Sequence, residues 1–355
     1  MRSCRKKWWP KKRRPWPRFS SEAVQEKMAA TTTVPSAGPI SGSRSFLSKL
    51  RDGDEIARLI TFLFAGSVVL ITVLLILTLW QDSALARHKF GLHFFVTRVW
   101  DPTAEQFGAL TFIYGTIITA TVSLAIAVPL GIGAAIFLAE LAPARLSDAL
   151  EFFIDLLAAV PSVIYGLLGV FIVVPLMRDY AQPALKNTLG FLPLFSGPMY
   201  GIGFLTAGIV LAIMVIPYII SVSREVLMSV PLDQREAALG LGSTRWESTW
   251  KVVVPFARTG IMGSIFLALA RALGETMAVT MVIGNTPTIS ASLFSPGYSI
   301  AAVIANEFAE ATGDVHLQAL IELGLVLFLL TFLLNGLARL LIVITSQRGG
   351  AAAHA

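Results

Sequence analysis

Two ionisable side chains stand four residues apart inside an otherwise apolar stretch of this chain. Arg271 and Glu275 fall within residues 261–283, which are long and apolar enough to cross a bilayer. An arginine near the middle of such a helix costs about 2.5–3.5 kcal/mol to insert, so it must face protein, an opposite charge or water. Its planar guanidinium suits phosphate oxygens, and Glu275, at i+4 on the same helical face, could hold it in place or release it. The pair therefore predicts a contact for an anion inside the membrane.

A purely structural role for the same pair is also open. Arg271 followed by Glu275 is the weaker order for an ion pair along one helix, so helix stability alone explains it poorly. The two charges could instead clip this helix to another helix or to another subunit. The sequence leaves both interpretations standing.

Three hydroxyl side chains share one face of the apolar stretch 110–139, namely Thr116, Thr119 and Ser123. They are candidates for a polar substrate pathway. Hydroxyl groups in membrane helices also bond back to their own backbone, and small residues let neighbouring helices approach closely. Of these interpretations we favour packing.

A polar and basic segment, from Arg235 to Ile261, separates two very apolar stretches. Ala237 and Ala238 favour helix, whereas Gly242 interrupts it. Thr244 and Glu247 have the spacing of a capping box, which restarts the chain as a second helix. The segment therefore predicts helix, break, helix.

The second of these short helices is expected to be amphipathic. Trp246, Trp250 and Val253 fall on one face, and Pro255 is expected to end or kink the helix. Together the two helices should lie at the membrane surface and expose a carboxylate, several basic residues and two tryptophans.

Six apolar stretches are available to position these residues, and they predict an all-α polytopic membrane protein with six transmembrane helices. Pro129 should bend the second stretch. Residues 140–151 are expected to form a short cytoplasmic turn, and residues 178–200 an outer loop. The six stretches are 59–80, 110–139, 152–177, 202–222, 261–283 and 317–344.

Composition and charge agree with this class of protein. Hydrophobic residues make up 55% of the 355 and charged residues 14%, with a mean hydropathy of +0.72, far from a soluble domain. The net charge of +6 does not indicate nucleic acid, because nine of the 28 Lys and Arg lie within residues 1–18. Basic residues otherwise concentrate in the loops on the side of the polar segment, which places that segment and both termini in the cytoplasm. The lone Cys4 excludes an intrachain disulfide, and the four His show no metal-ligand spacing.

The amino-terminal tail differs from the rest of the chain. Residues 1–18 are basic, aromatic and rich in proline, and residues 29–53 have the composition of a disordered linker. The basic stretch could contact anionic lipid, or it could be a dispensable extension before a start at Met28; we favour the second. We divide the chain into a cytoplasmic tail (1–55), a first helix with an external loop (56–109), a permease domain (110–345) and a short cytoplasmic tail (346–355).

The spacing within the polar segment resembles the EAA loop of ABC importer permeases. Glu-Ala-Ala is followed at the family's intervals by Gly242 and Pro255, whereas Val252 and Val254 replace the usual Ile and Leu. The resemblance implies a coupling helix that docks into a cleft of a cytoplasmic ATPase subunit. The residues it assigns to coupling are Arg235, Glu236, Ala237, Ala238, Gly242, Trp246 and Pro255.

A second motif, Arg271-Ala-Leu-Gly-Glu-Thr-Met-Ala-Val279, resembles phosphate-importer permeases of the PstC type. The resemblance covers about residues 56–345. It implies a permease subunit of a high-affinity phosphate importer in the bacterial inner membrane, working by alternating access. The implied partners are a PstA-type permease, a PstB-type ATPase dimer that uses ATP and Mg²⁺, a PstS-type phosphate-binding protein outside, and membrane lipid. The resemblance implies no cofactor and no catalysis in this chain, and the absence of any Gly-Lys pair excludes a P-loop.

Two other functions remain compatible with the sequence. A PstA-like or other oxyanion permease would share the six stretches, although Met277-Ala278-Val279 favours the PstC type. An ion-driven secondary transporter or channel would not need an EAA loop.

Overall fold

The computed structural model describes residues 54–351, with side chains described from residue 57 to 340. The predictions for the amino-terminal tail and for residues 352–355 therefore lie outside the described part. By its contacts the chain divides into two units, residues 1–69 and 70–355.

Within residues 54–351 the chain is helical and forms no strand; its only bridge joins Asp101 and Gln106. Six helical runs are long and apolar enough to cross a membrane, as the sequence predicts, and we number them as spans in chain order. They are the first span Ala57–Asp82, the second Leu110–Leu141, the third Ser162–Leu189, the fourth Phe204–Met228, the fifth Arg245–Gly274 and the sixth Asp314–Leu340.

Shorter helices connect the spans. The first span lies within the longer helix Asp54–Asp82, and the sixth span lies within the helix Asp314–Ala351. The connecting elements are Ala84–Phe90 with the 3-10 turn Gly91–Phe95, Ala144–Ala158, the turn Pro193–Phe195, Leu232–Gly240, Met277–Ile283 and Ile300–Glu307.

The third span differs from the prediction at both ends. Residues 140–151 are not a simple turn, because the helix Ala144–Ala158 occupies most of them. After a break at Pro161 the chain is helical again from Ser162 to Leu189, well into the predicted outer loop. Two π-helical turns, Gly169–Val173 and Met177–Ala181, lie within this run. Pro175 is accommodated because it sits in the first turn of a new α-helical segment, where its missing N–H costs no helical hydrogen bond.

The fifth span is also displaced from its predicted bounds. Pro255 does not end the helix: it follows the π-helical turn Thr249–Val253 and stands in the first turn of the helix Val254–Gly274. At its other end the span stops at Gly274, and the short helix Met277–Ile283 continues beyond a break. The predicted helix 261–283 is thus two helices.

The fourth span is the centre of the bundle, with two thirds of its most apolar window buried. Its buried side chains Val210, Leu211 and Met214 form one core with residues of the third and fifth spans and of the helix Met277–Ile283. The second span packs closely on it, since a Cβ at Gly208 would overlap the side chain of Val122. The second, third and fifth spans therefore all pack on the fourth.

Candidate functional site

The guanidinium of Arg271 lies 4.2 Å from the centre of the Tyr218 ring, a distance at which cation–π attraction operates. Tyr218 stands near the middle of the fourth span, 14 residues after Phe204 and 10 before Met228, which is about 21 Å and 15 Å of helix. Arg271 occupies the last turn of the helix Val254–Gly274. The contact with Tyr218 nevertheless places it at mid-depth of the bundle, the level expected from the sequence.

Glu275 does not share a helical face with Arg271, so that part of the prediction is wrong. The helix ends at Gly274, and Glu275 has extended backbone angles (φ −71°, ψ 128°). Its Oε1 instead accepts a hydrogen bond of 3.3 Å from the backbone N–H of Ala278, in the first turn of Met277–Ile283. Among the described side chains no ion pair within 4 Å joins Arg271 to a carboxylate. Glu275 caps a helix start rather than pairing with the arginine.

A second helix break lies beside the first. The helix Ala144–Ala158 ends before Pro161. Two tyrosine hydroxyls donate hydrogen bonds to its last backbone carbonyls: Tyr165 Oη to the Leu157 carbonyl (2.7 Å) and Tyr218 Oη to the Ala158 carbonyl (3.0 Å). Tyr218 therefore contacts both Arg271 and the end of this helix. Irregular backbone at this depth is stable only when it is buried in protein or faces a water-filled cavity.

The segments that follow the two breaks are packed together. Gly166, in the helix Ser162–Leu168, lies against Met277–Ile283 so closely that a Cβ there would come within 3.2 Å of the Ala278 Cα. Arg271 thus lies where the third and fifth spans, each of which adjoins a helix break, meet the fourth span. Its buried Nε has no hydrogen-bond partner among the described residues, so this donor is open to an acceptor from elsewhere.

The hydroxyl side chains of the second span are placed differently. Thr116 donates to the Phe112 carbonyl (2.8 Å) and accepts from the Ile300 N–H (3.0 Å), while Thr119 donates to the Gly115 carbonyl (2.8 Å). Ser123 is fully buried, its Oγ unpartnered within the described chain, at the close contact with the fourth span. These positions favour the packing interpretation, because Thr116 and Thr119 already serve their own helix and the start of Ile300–Glu307.

The polar segment forms the helix, break and helix that local chemistry predicts. Leu232–Gly240 is followed by Gly242 with a φ of +88°, and Thr244 and Glu247 form the expected reciprocal capping box. The Glu247 N–H lies 3.2 Å from Thr244 Oγ1, and the Thr244 N–H 3.0 Å from Glu247 Oε2. We call residues 231–255 the coupling segment.

One face of the coupling segment is exposed. Glu236 and Ala237 are exposed, whereas Ala238 is buried. The rings of Trp246 and Trp250 lie 5.6 Å apart, and both remain about half exposed, while Val253 is fully buried. The segment therefore exposes a carboxylate and an aromatic pair, as expected, while Ala238 and Val253 pack against the rest of the protein.

Arg235, in contrast, turns inward. Its Nη2 donates to the Leu227 carbonyl (2.7 Å) and lies 3.0 Å from Glu140 Oε1, an ion pair without the alignment of a hydrogen bond. The two side chains are 19% and 11% exposed, so little of Arg235 is available to a docking protein. It positions the coupling segment instead of forming its outer surface.

A second buried cation lies close by and was missed from the sequence. Arg224 is 8% exposed, pairs with Glu151, and lies 3.2 Å from Ser147 Oγ. The sequence offered one signal for these ion pairs: acidic residues stand at both ends of residues 140–151, and Arg224 and Arg235 lie near the end of the fourth span. It was not sufficient, because the residues expected to form a turn form a helix.

Comparison with known proteins identifies the fold and the family. The family described as binding-protein-dependent transport system inner membrane component matches residues 127–343. Among solved structures, a bacterial ABC transporter involved in the import of the acidic polysaccharide alginate aligns with 82% of this chain and 98% of its own, at a TM-score of 0.53 and 17% identity, a likeness of fold alone.

Curated relatives are similar over most of their length. The phosphate transport system permease protein PstC of Mesorhizobium japonicum is 47% identical over 81% of this chain and 90% of its own, and that of Pasteurella multocida 49% over 82% and 92%. A probable PstC of Methanocaldococcus jannaschii is 41% identical over 76% of this chain and 87% of its own. The chain therefore belongs to the PstC family of binding-protein-dependent transport system inner membrane components.

Proposed function

We propose that this chain is a transmembrane permease subunit of an ATP-driven importer that carries inorganic phosphate into the cytoplasm. The observation that carries the proposal is the position of Arg271, a cation that pairs with no carboxylate among the described side chains and lies where the third and fifth spans meet the fourth. Phosphate near neutral pH is an anion, and the middle of a bilayer offers it no solvent. A fixed guanidinium with an open N–H donor supplies both charge and hydrogen bonding there. The proposal includes a supporting role for Glu275, which holds the start of Met277–Ile283 next to Arg271.

The coupling segment is the proposed connection to the energy source. It would bind a cytoplasmic ATPase dimer of the PstB type through its exposed residues, Glu236 and Trp246 among them. Arg235 would pass the movement to the second span through Glu140. ATP and Mg²⁺ belong to that partner, and we propose no bound cofactor and no catalytic residue in this chain. A PstA-type permease and an external PstS-type phosphate-binding protein complete the proposed assembly.

The distribution of basic residues supports an orientation. The end of the bundle that carries the coupling segment has Arg224, Arg235, Arg245, Lys251 and Arg258, whereas residues 284–316 at the opposite end have no Lys or Arg. By the positive-inside rule, the coupling segment and both termini face the cytoplasm of the cell that holds this protein in its inner membrane.

Uptake competition tests the substrate. Cells without their own phosphate importers, expressing this chain with PstA-, PstB- and PstS-type subunits, should accumulate labelled phosphate in an ATP-dependent manner. Excess sulfate or molybdate should leave this uptake unchanged. Inhibition by either anion would indicate another oxyanion permease, and uptake that persists without ATP would indicate an ion-driven transporter.

A further inference from the structure

A cavity of about 320 Å³ lies at the end of the bundle opposite the coupling segment. It is bounded by the end of the first span at Trp80, by Arg87 in the short helix that follows, and by one side of the sixth span. The Leu85 N–H donates to Gln318 Oε1 (2.8 Å) and fixes the short helix against the sixth span. This cavity shares no lining residue with the surroundings of Arg271.

Glu322, an acidic residue, lines this mostly apolar cavity. The residue is only 2% exposed, and its Oε2 has no hydrogen-bond partner within the described part of the chain. A buried carboxylate oxygen without a donor is costly, and native proteins normally supply a partner from protein, water or ligand. The remaining side chains of the sixth span that line the cavity, Leu325, Val326 and Leu329, supply no donor.

A base lines the same cavity without pairing with this acid. Arg87 stacks over the Trp80 ring at 3.7 Å, its Nε lies 3.2 Å from Ser83 Oγ, and its Nη2 donates to the Trp80 carbonyl. No ion pair within 4 Å joins Arg87 to Glu322 in the described chain. The Arg87 guanidinium is thus held by Trp80 and Ser83, while Glu322 Oε2 receives no hydrogen bond from the described residues.

The polar and apolar parts of the cavity follow the direction of the sixth span. Glu322 stands eight residues after Asp314, or about 12 Å along the helix. Leu325 and Leu329 lie about 5 and 10 Å further toward the coupling end. The charged groups therefore lie near the outer surface, and the aliphatic wall extends toward the middle of the bilayer. A phospholipid has the same order of headgroup and acyl chain.

We propose that this cavity binds a phospholipid whose headgroup carries a primary ammonium, as in phosphatidylethanolamine. The ammonium donates to the open oxygen of Glu322, the lipid phosphate accepts from Arg87, and an acyl chain lies along Leu325 and Leu329. A choline headgroup has no N–H to donate, and a glycerol headgroup has no positive charge to meet the carboxylate. The site is separate from the proposed transport pathway and does not depend on the transported substrate.

Native mass spectrometry of the transporter complex containing this chain tests the proposal. The detergent-purified complex is delipidated and then exposed to equal amounts of phosphatidylethanolamine, phosphatidylcholine and phosphatidylglycerol. Since a hydrogen bond to a charged group contributes about 1.5–3 kcal/mol, we expect phosphatidylethanolamine to be retained at least about tenfold over phosphatidylcholine. Equal retention of the three lipids, or a preference for phosphatidylglycerol, would overturn the proposal.

Three variants test whether any preference arises at this cavity. Glu322→Gln keeps the size of the side chain but removes its charge, so the preference should fall about tenfold toward equal retention. Leu329→Trp fills the aliphatic end and should reduce retention of all three lipids, whereas Leu333→Trp, one turn further and outside the cavity, should match the wild type. An unchanged preference in Glu322→Gln, or equal effects of the two Trp variants, would place the lipid elsewhere.

Discussion

Arg235 Nη2 lies 3.0 Å from Glu140 Oε1, and this ion pair joins the coupling segment to the last turn of the second span. The same nitrogen donates to the carbonyl of Leu227, at the end of the fourth span. A single arginine thus connects three elements. Movement of the helix Leu232–Gly240 must either carry the second span with it or break a largely buried ion pair.

This relationship predicts an uncoupled transporter when the pair is broken. Glu140→Gln leaves the Arg235 charge without its partner, and removing one member of a buried pair costs about 3–5 kcal/mol. We expect less phosphate moved per ATP hydrolysed by the reconstituted complex, with membrane insertion retained. Lys251→Gln is the matched control, because its pair with Glu247 is exposed and contributes at most about 1 kcal/mol. A wild-type ratio of transport to hydrolysis in Glu140→Gln would show that the pair transmits nothing.

Gly242 should be intolerant of a side chain for a conformational reason. No atom lies within 4 Å of the position where its Cβ would be, but its φ is +88°. An L-residue there costs about 1 kcal/mol, so Gly242→Ala should insert normally and uncouple transport from ATP hydrolysis. Gly240→Ala, with equally open surroundings and no positive φ, should behave as wild type. If both alanine variants transport equally well, the turn geometry is not what coupling requires.

Glu236 is expected to contact the ATPase directly. The side chain is exposed, so Glu236→Lys should leave the stability of this chain almost unchanged while placing a cation against basic or backbone donors of the partner. Co-purification of the ATPase and substrate-stimulated hydrolysis should both decrease. Gln234→Lys adds the same charge to the same helix and serves as the control. Full association of the ATPase with the Glu236→Lys variant would remove this residue from the interface.

Variants of Arg271 distinguish an anion contact from a packing clip. Arg271→Gln should abolish phosphate uptake while membrane insertion remains intact, because removing a buried charge makes insertion easier. Arg271→Lys should keep partial activity, since it retains the charge but not the planar fork. Glu275→Gln should impair uptake less, because its amide oxygen can still accept from the Ala278 N–H.

The clip interpretation predicts the opposite pattern for this pair. Loss of assembly in each single variant and its recovery in Arg271→Glu with Glu275→Arg would support a clip. We expect no such recovery, because the two side chains do not pair in the structure.

Tyr218→Phe keeps the ring beneath the guanidinium and should preserve more uptake than Tyr218→Leu.

Features that depend on neighbouring residues could be predicted from the sequence. The capping box of Thr244 and Glu247 and the positive φ of Gly242 each follow from a few adjacent residues, and the six spans follow from apolar length alone. Features that depend on distant contacts could not be predicted. The pair of Glu140 and Arg235 joins residues 95 positions apart in the chain.

The break at Glu275 is also a feature that depends on distant contacts and could not be predicted. Apolar length predicts one helix over residues 261–283, whereas the structure interrupts it between Gly274 and Met277, next to the close contact of Gly166 with Ala278. The predicted i+4 relationship between Arg271 and Glu275 failed for this reason. Arg271 nevertheless lies level with Tyr218 near the middle of the fourth span, because the break comes after it and leaves the helix Val254–Gly274 continuous up to this residue.

The close contact of Gly166 with Ala278 has a mechanical consequence. The Met281 side chain and the Ala278 backbone fill the space beside Gly166, so we expect Ser162–Leu168 and Met277–Ile283 to move together about the breaks at Pro161 and Glu275. Opening of this end of the bundle should therefore be concerted. Distances measured by electron spin resonance across each break should change together during turnover. Gly166→Val, by separating the two helices, should make the two changes independent.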